Sequence, residues 1–351
     1  MSMHRRPYIA AQHWRGVFTK FAVVLILFAA CAFASGHAAA EDLKVGFVRT
    51  PGYGPLYVAQ ERGYFAAEGV PVALVYFDSA QPVTVAVVAG SIDFGVGNPT
   101  GAFYNLAGQG ELRVIAGATR EAPGFQYFAY LVSTRAYEAG LKSPHGFAGH
   151  SAAITLVGNP PHYMLGLLAE KYRFDLTSIR LLPVQSLANT IAAIVGGQAD
   201  ATVQVMVPAV PPLIQKGDIR VLGWVGDETP WQINAVFAAT KTADQRKDTV
   251  VRFLRAYRRG VRDYHDAFTG QGETRQDGPT APEIVAIVAK YTGLTIDDVK
   301  LGVPYFDADA RLDVKDVLHQ IAWYKSQGMV KPEIDADQII DKRYVIPLPE
   351  H

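Results

Sequence analysis

The chain has 351 residues, and its 33 basic and 33 acidic side chains cancel at neutral pH. That balance excludes the basic surface a nucleic-acid partner requires. A chain this long can bury two hydrophobic cores, and its single cysteine, Cys31, excludes an intrachain disulfide.

The amino terminus carries Arg5, Arg6, Arg15 and Lys20 and no acidic residue before Glu41. The apolar run Phe21 to Phe33 is too short to span a bilayer comfortably, and Ala38-Ala39-Ala40 follows it. A basic start, a short apolar middle and a small-residue end mark a secretory signal peptide over residues 1–40, with cleavage expected after Ala40. An uncleaved anchor, or lipoprotein processing at Cys31, is the alternative. Cleavage leaves 311 residues, with 29 basic against 33 acidic side chains and no cysteine.

Val45 to Val48 is a short apolar run that reads as a buried strand. Thr50-Pro51-Gly52-Tyr53-Gly54-Pro55 breaks it, and a helix is expected from about Leu56 to Ala67, with Gly69 as its stop. Pro71 to Phe77 is the next strand. In such a strand–loop–helix unit the loop lies at the carboxyl end of the strand, where open α/β sheets bind ligands. The pattern recurs. Pro82 to Gly90 has helical spacing, and Asp93 to Gly97 is a short strand running into Asn98-Pro99-Thr100-Gly101. A helix over about 102–107 and a strand from Leu112 to Ala118 follow. Alternating strands and helices predict a mainly parallel sheet covered on both faces.

Phe125 to Ser133 reads as a crossing strand, and Ala152 to Val157 as the next one. Gly158-Asn159-Pro160-Pro161 opens a helix over about His162 to Lys171. A strand at 181–183, a helix at 187–195 and a strand at 200–205 complete a second lobe, which returns through Ile219 to Val225. Ile233 to Ala239 should rejoin the first sheet. Thr242 to Phe268 is expected as one long helix, with a capping box at Thr242 and Gln245 and a buried stripe of Val250, Leu254, Tyr257, Val261, Tyr264 and Phe268. Arg255, Arg258, Arg259 and Arg262 lie off that stripe, as a solvated basic face or a permease contact. Two further helices are expected, one capped by Thr280 and Glu283 and one over 314–327.

Enzyme constellations are absent. The chain has no G-x-S-x-G, no H-E-x-x-H and no G-x-x-x-x-G-K-[ST], and nothing after the leader offers a thiol. His145 and His150 share a loop without a clear third ligand, so no metal and no cofactor is expected.

PLYVAQERGYFAAEGVPV, at 55–72, resembles the opening of the solute-binding proteins of ABC importers for nitrate, sulfonate, taurine and thiamine precursors, the SsuA/THI5-like (NMT1-like) family. Residues 89–95 (AGSIDFG), 196–201 (GGQADA) and 339–344 (IIDKRY) resemble the same group in order and spacing. The resemblance implies a two-lobed, type II periplasmic-binding-protein fold with a mainly parallel sheet in each lobe. Lobe 1 would comprise 43–130 and 228–351, and lobe 2 would comprise 131–227. It implies a monomeric, non-catalytic protein of the periplasm that closes on a small organic molecule and delivers it to an ABC transporter permease and its ATPase. An exported sensing module is the alternative.

Four segments at strand ends are the expected ligand site: Arg49 to Gly54, Gly97 to Thr100, Gly158 to Tyr163 and Gln204 to Pro208. Tyr53 and Tyr163 offer rings, Asn98, Asn159 and Gln204 offer donors and acceptors, and Thr100 a hydroxyl. Gly54 and Gly97 allow close backbone approach. Arg49 and His162, with Arg120 as a weaker candidate, are the expected partners of a carboxylate or sulfonate. Arg49 in a surface ion pair, and Tyr53 packed in its own loop, are the alternatives for those two.

Overall fold

The computed structural model describes residues 42–349 together with Met1, so the leader, its cleavage point and Cys31 lie outside the described residues. Residues from Asp42 onward form one compact unit built on two five-stranded sheets. No helix among the described residues is long and apolar enough to cross a membrane.

The first sheet holds β1 (Leu43–Val48), β2 (Val72–Phe77), β3 (Phe94–Gly97), β4 (Leu112–Gly117) and β12 (Ala235–Ala239), in the order β2-β1-β3-β12-β4. The second holds β6 (Phe128–Ser133), β7 (Ser151–Ile154), β8 (Arg180–Pro183), β9 (Ala201–Val205) and β10 (Ile219–Trp224), in the order β8-β7-β9-β6-β10. The two orders are the same plan. In each sheet the first three strands pair in parallel, the fourth is antiparallel to both neighbours, and the fifth again follows the majority. The reversed strand is the one that arrives from the other sheet, β12 in the first and β6 in the second. Between the sheets, β5 (Arg120–Glu121) and β11 (Trp231–Gln232) form a two-residue antiparallel ribbon, with Trp231 opposite Glu121.

The helices that follow the strands are α1 (Gly54–Glu61), α2 (Ala80–Val88) and α3 (Gly101–Gly108) in the first half. Those on the second sheet are α4 (Pro160–Tyr172), α5 (Leu187–Val195) and α6 (Val210–Lys216). The carboxyl-terminal part adds α7 (Lys247–Phe268), α8 (Ala281–Thr292) and α9 (Val314–Ser326). The predicted stripe of α7 is buried as expected and anchors the first core: Phe253 stacks on Phe94 with ring centroids 4.1 Å apart and on Phe65 at 5.4 Å. Gly260 lets α7 approach α1, since a Cβ there would lie 2.5 Å from the Pro55 carbonyl oxygen.

Several expectations are corrected. The long helix is broken, because Arg246 leaves helical geometry (φ −117°, ψ 42°) between a short helix, Thr240–Gln245, and α7, and no capping box forms at Thr242. Thr280 precedes α8 without a side-chain cap bond. A capping box does form at Thr295 and Asp298, ahead of a short helix the sequence reading missed. Of the basic residues of α7, Arg255, Arg259 and Arg262 are exposed, in keeping with a solvated face, and all four also touch the fold: Arg255 with Glu68 (2.9 Å), Arg258 with the Tyr344 carbonyl (2.8 Å), Arg259 over the Tyr64 ring (3.9 Å) and Arg262 with Asp309 (2.6 Å). On α9, Leu318 points outward at 41% exposure, while Gln320 and Trp323 are buried.

The edge of β4 is covered by the tail. Val114 N–H donates to the Ile339 carbonyl (2.8 Å), and the Val114 carbonyl accepts from Asp341 N–H (2.9 Å), which removes an open edge from the first sheet.

Candidate functional site

Strand direction gathers the turns after β1 and β3 at one edge of the first sheet, and those after β7 and β9 at the corresponding edge of the second. Thr119, beside the crossing ribbon, fastens the turn after β1 and is held in turn by Asn234 and Gln232. Thr119 Oγ1 donates to the Gly52 carbonyl (2.5 Å) and accepts from Asn234 Nδ2 (3.1 Å), and Gln232 Nε2 donates to the Asn234 carbonyl (2.7 Å). Sequence reasoning missed these three. Their signal was a set of polar residues interrupting two apolar crossings.

Of the candidates in the first sheet, Arg49 is exposed and lies over the Tyr76 ring at 3.9 Å, with no ion-pair partner among the described residues. Tyr53 is buried and packs on Phe47, with ring centroids 5.4 Å apart, so it serves its own core. Gly54 is required by packing, because a Cβ would lie 2.4 Å from the Tyr264 ring. Gly97 ends β3 with room around it. Asn98 is buried, and its Nδ2 donates to the Ile233 carbonyl (2.5 Å), while its Oδ1 is buried without a partner. Thr100 caps α3, accepting from Phe103 N–H at 3.4 Å. Arg120 is tied to Asp313 at 2.8 Å.

In the second sheet, Gly158 adopts φ +87°, a conformation glycine tolerates best. Its N–H donates to His162 Nδ1 (3.1 Å), and burial holds that imidazole below the usual histidine range. His162 is therefore a neutral acceptor at physiological pH and does not supply the cation expected of it. Asn159 precedes α4 and donates from Nδ2 to Thr155 Oγ1 (3.3 Å). Tyr163 is fully buried, and its hydroxyl sits 2.8 Å from His319 Nδ1 and 3.2 Å from Asp316 Oδ1 on α9. Its ring is committed to that helix. Gln204 is buried and donates from Nε2 to the Leu187 carbonyl (3.3 Å), and its Oε1 has no partner.

Asn98, just beyond β3, and Gln204, near the end of β9, thus repeat one hydrogen-bonding arrangement. Each amide nitrogen is held by a backbone carbonyl, which fixes which way the amide faces, and each amide oxygen is a buried, unused acceptor. Around the second-sheet turns, Leu156, Val157 and Leu187 stand exposed at 47%, 52% and 41%, an apolar rim. Two surface cavities lie elsewhere. One of about 660 Å³ adjoins the crossing, lined in part by Gln126, Arg275 and Lys300, and one of about 430 Å³ lies between β8 and α5. Neither includes a candidate residue. No cluster of metal-ligating side chains occurs among the described residues.

Residues 50–267 match the family model described as NMT1/THI5 like. No curated protein sequence matches the chain. Among solved structures, the periplasmic aliphatic sulphonate binding protein SsuA from Escherichia coli is similar with a TM-score of 0.67 at 18% identity, over 89% of this chain and 94% of that one. The alkanesulfonate-binding protein SsuA from Xanthomonas axonopodis pv. citri, bound to MOPS, gives 0.62 at 17% identity over 87% and 99%. The periplasmic nitrate-binding protein NrtA from Synechocystis PCC 6803 gives 0.63 at 14% identity over 86% of each chain. The fold is the α/β fold of the periplasmic binding proteins, with mixed sheets and flanking helices.

Proposed function

The chain belongs to the NMT1/THI5-like family, and from that premise we propose that it is an exported, non-catalytic solute-binding protein that captures a small organic molecule and delivers it to the permease of an ABC importer. In this reading residues 43–130 with 228–351 form one lobe, residues 131–227 form the other, β6 straddles the boundary between them, and the two chain crossings near residues 130 and 228 make the hinge. The lobes close on the ligand and the permease recognises the closed form.

The observation that carries the reading is the pair of unused amide oxygens, Asn98 Oδ1 just beyond β3 and Gln204 Oε1 near the end of β9, the third strands of two sheets of the same plan. A buried acceptor without a partner costs about 1–3 kcal/mol, and a ligand that donates a hydrogen bond removes that cost. The exposed Leu156, Val157 and Leu187 suit an apolar or planar body. Of the cations considered, His162 is neutral and Arg120 is paired, which leaves Arg49 for an anionic group. The ligand we infer therefore has an apolar or planar body, at least one hydrogen-bond donor, and at most one anionic group.

The test is mass spectrometry of small molecules released from the purified protein, followed by calorimetry with the compound found. Asn98→Ala and Asn159→Ala should each weaken binding by about 1–3 kcal/mol. Unchanged affinity in both folded variants would place the site elsewhere. Cells lacking the protein should lose uptake of that compound. Normal uptake with a lost transcriptional response would favour the sensing module instead.

A further inference from the structure

α9 lies against both halves of the molecule. Tyr324 has its ring 5.9 Å from Tyr104 on α3 and 6.1 Å from Tyr163 on α4, and its hydroxyl donates to the Gly158 carbonyl (3.0 Å). Trp323 packs edge-on to His162 at 5.0 Å and lies 2.4 Å from where a Cβ on Gly166 would fall, so α4 and α9 cross closely. On the other side α9 is tied to the crossing ribbon and to α3. Asp316 Oδ2 accepts from Gln232 N–H (2.8 Å) and Gln320 Nε2 (2.7 Å), and Tyr104 donates to Gln320 Oε1 (2.9 Å).

Between α9 and α4 runs a chain of three links: Asp316 Oδ1 to Tyr163 hydroxyl (3.2 Å), Tyr163 hydroxyl to His319 Nδ1 (2.8 Å), and His319 Nε2 to Glu170 Oε2 (2.9 Å). Each link needs one hydrogen. With Asp316 protonated and His319 neutral, the carboxyl donates to Tyr163, Tyr163 to Nδ1, and Nε2–H to Glu170. With Asp316 ionised and His319 protonated, the same three links are filled with the first two reversed. When that proton is lost, two hydrogens remain for three links. One link must open, because the single Tyr163 O–H can then donate to the half-buried, ionised Asp316 or to His319 Nδ1 but not to both.

We propose that α9 is a proton-dependent strap, which fastens the turn bearing Gly158 and Asn159 to the first half of the molecule while the Asp316–Tyr163–His319 chain holds its third hydrogen, and slackens when that hydrogen is lost. Tyr324 and Tyr163 are then positioning residues for that turn. The ionisable groups facing the chain are Asp313 at the start of α9, itself paired with Arg120, then Glu170 and His162 on α4, Tyr104 on α3, and Tyr324. Burial first, and then the neighbouring Asp313 carboxylate, lift Asp316 to about 6, which places the loss of the proton in a range an exported protein can meet.

The inference rests on the proposed function only in calling that turn ligand-bearing, so its test uses no ligand. Spin labels at Asp78→Cys and Gln185→Cys, both exposed, in a Cys31→Ser background report the distance between the two halves. Raising pH from about 5 to about 8 should increase the ratio of long to short distances about tenfold. Asp316→Asn should abolish that dependence. His319→Gln, at a more exposed position, should abolish it too and stands in if the first variant does not fold. Tyr324→Phe should already show the long population at low pH. A distance distribution that ignores pH, or a pH response that survives in the variants, would overturn the strap. Failure to find any ligand would overturn the proposed function and leave these distances unaffected.

Discussion

Glu121 is fully buried in the crossing ribbon, and neither carboxylate oxygen has a well-formed hydrogen bond. Burial pushes its pKa well above the usual carboxylate range, and the nearby Phe128 and Gly226 amides offset only part of that. The native state therefore keeps a proton that the unfolded chain releases above the ordinary glutamate value of 4.5. Stability should fall as pH rises from there through the folded value. Glu121→Gln should flatten that fall and raise the urea midpoint at about pH 8 more than at about pH 5. A midpoint lowered equally at both would show that the carboxylate itself is needed. At this scale the sequence was informative about position and poor about role. Asn98, Asn159 and Gln204 could be placed at strand ends from flanking prolines, glycines and short apolar runs. Tyr163 could not be read correctly, because its partners, Asp316 and His319, lie some 150 residues later. Nor could spacing show that Arg49 would rest on Tyr76.

Among the elements, α7 was the most legible, since its buried stripe repeats at helical spacing over 22 residues. Its break at Arg246 was not, because nothing local to Gln245-Arg246-Lys247 forbids a helix. Close packing gives a sharper prediction. Gly260→Ala would put a methyl group 2.5 Å from a backbone oxygen of α1, which cannot rotate away. It should cost about 1–3 kcal/mol in chemical denaturation, more than any helix-propensity gain from alanine. Ala102→Gly, at an exposed position inside α3, should cost no more than about 1 kcal/mol and serves as the control.

For the whole molecule, the alternation of strands and helices, and the two apolar crossings, were enough to anticipate two α/β sheets. What escaped was the reach of α9, whose apolar stripe reads equally well against one core or two. Only the burial of Gln320 and Trp323 tells them apart. If the halves close on a ligand, small-angle scattering should record a smaller radius of gyration in its presence, and a variant that cannot bind should keep the ligand-free value. No change on saturation would mean that recognition leaves the two halves as they stand.

The shared strand plan also sets an order of assembly. The second sheet is drawn from one continuous stretch, residues 128–224. The first cannot be completed until β12 has inserted between β3 and β4, and the edge of β4 stays open until Ile339 and Asp341 reach it. Contacts so far apart along the chain form slowly. A nascent chain therefore spends the longest part of its synthesis with β4 unpaired and one edge of β3 open, although β1, β2 and β3 can already pair with one another. In refolding with pulsed hydrogen exchange, amides of β6, β7 and β9 should gain protection before those of β3 and β4.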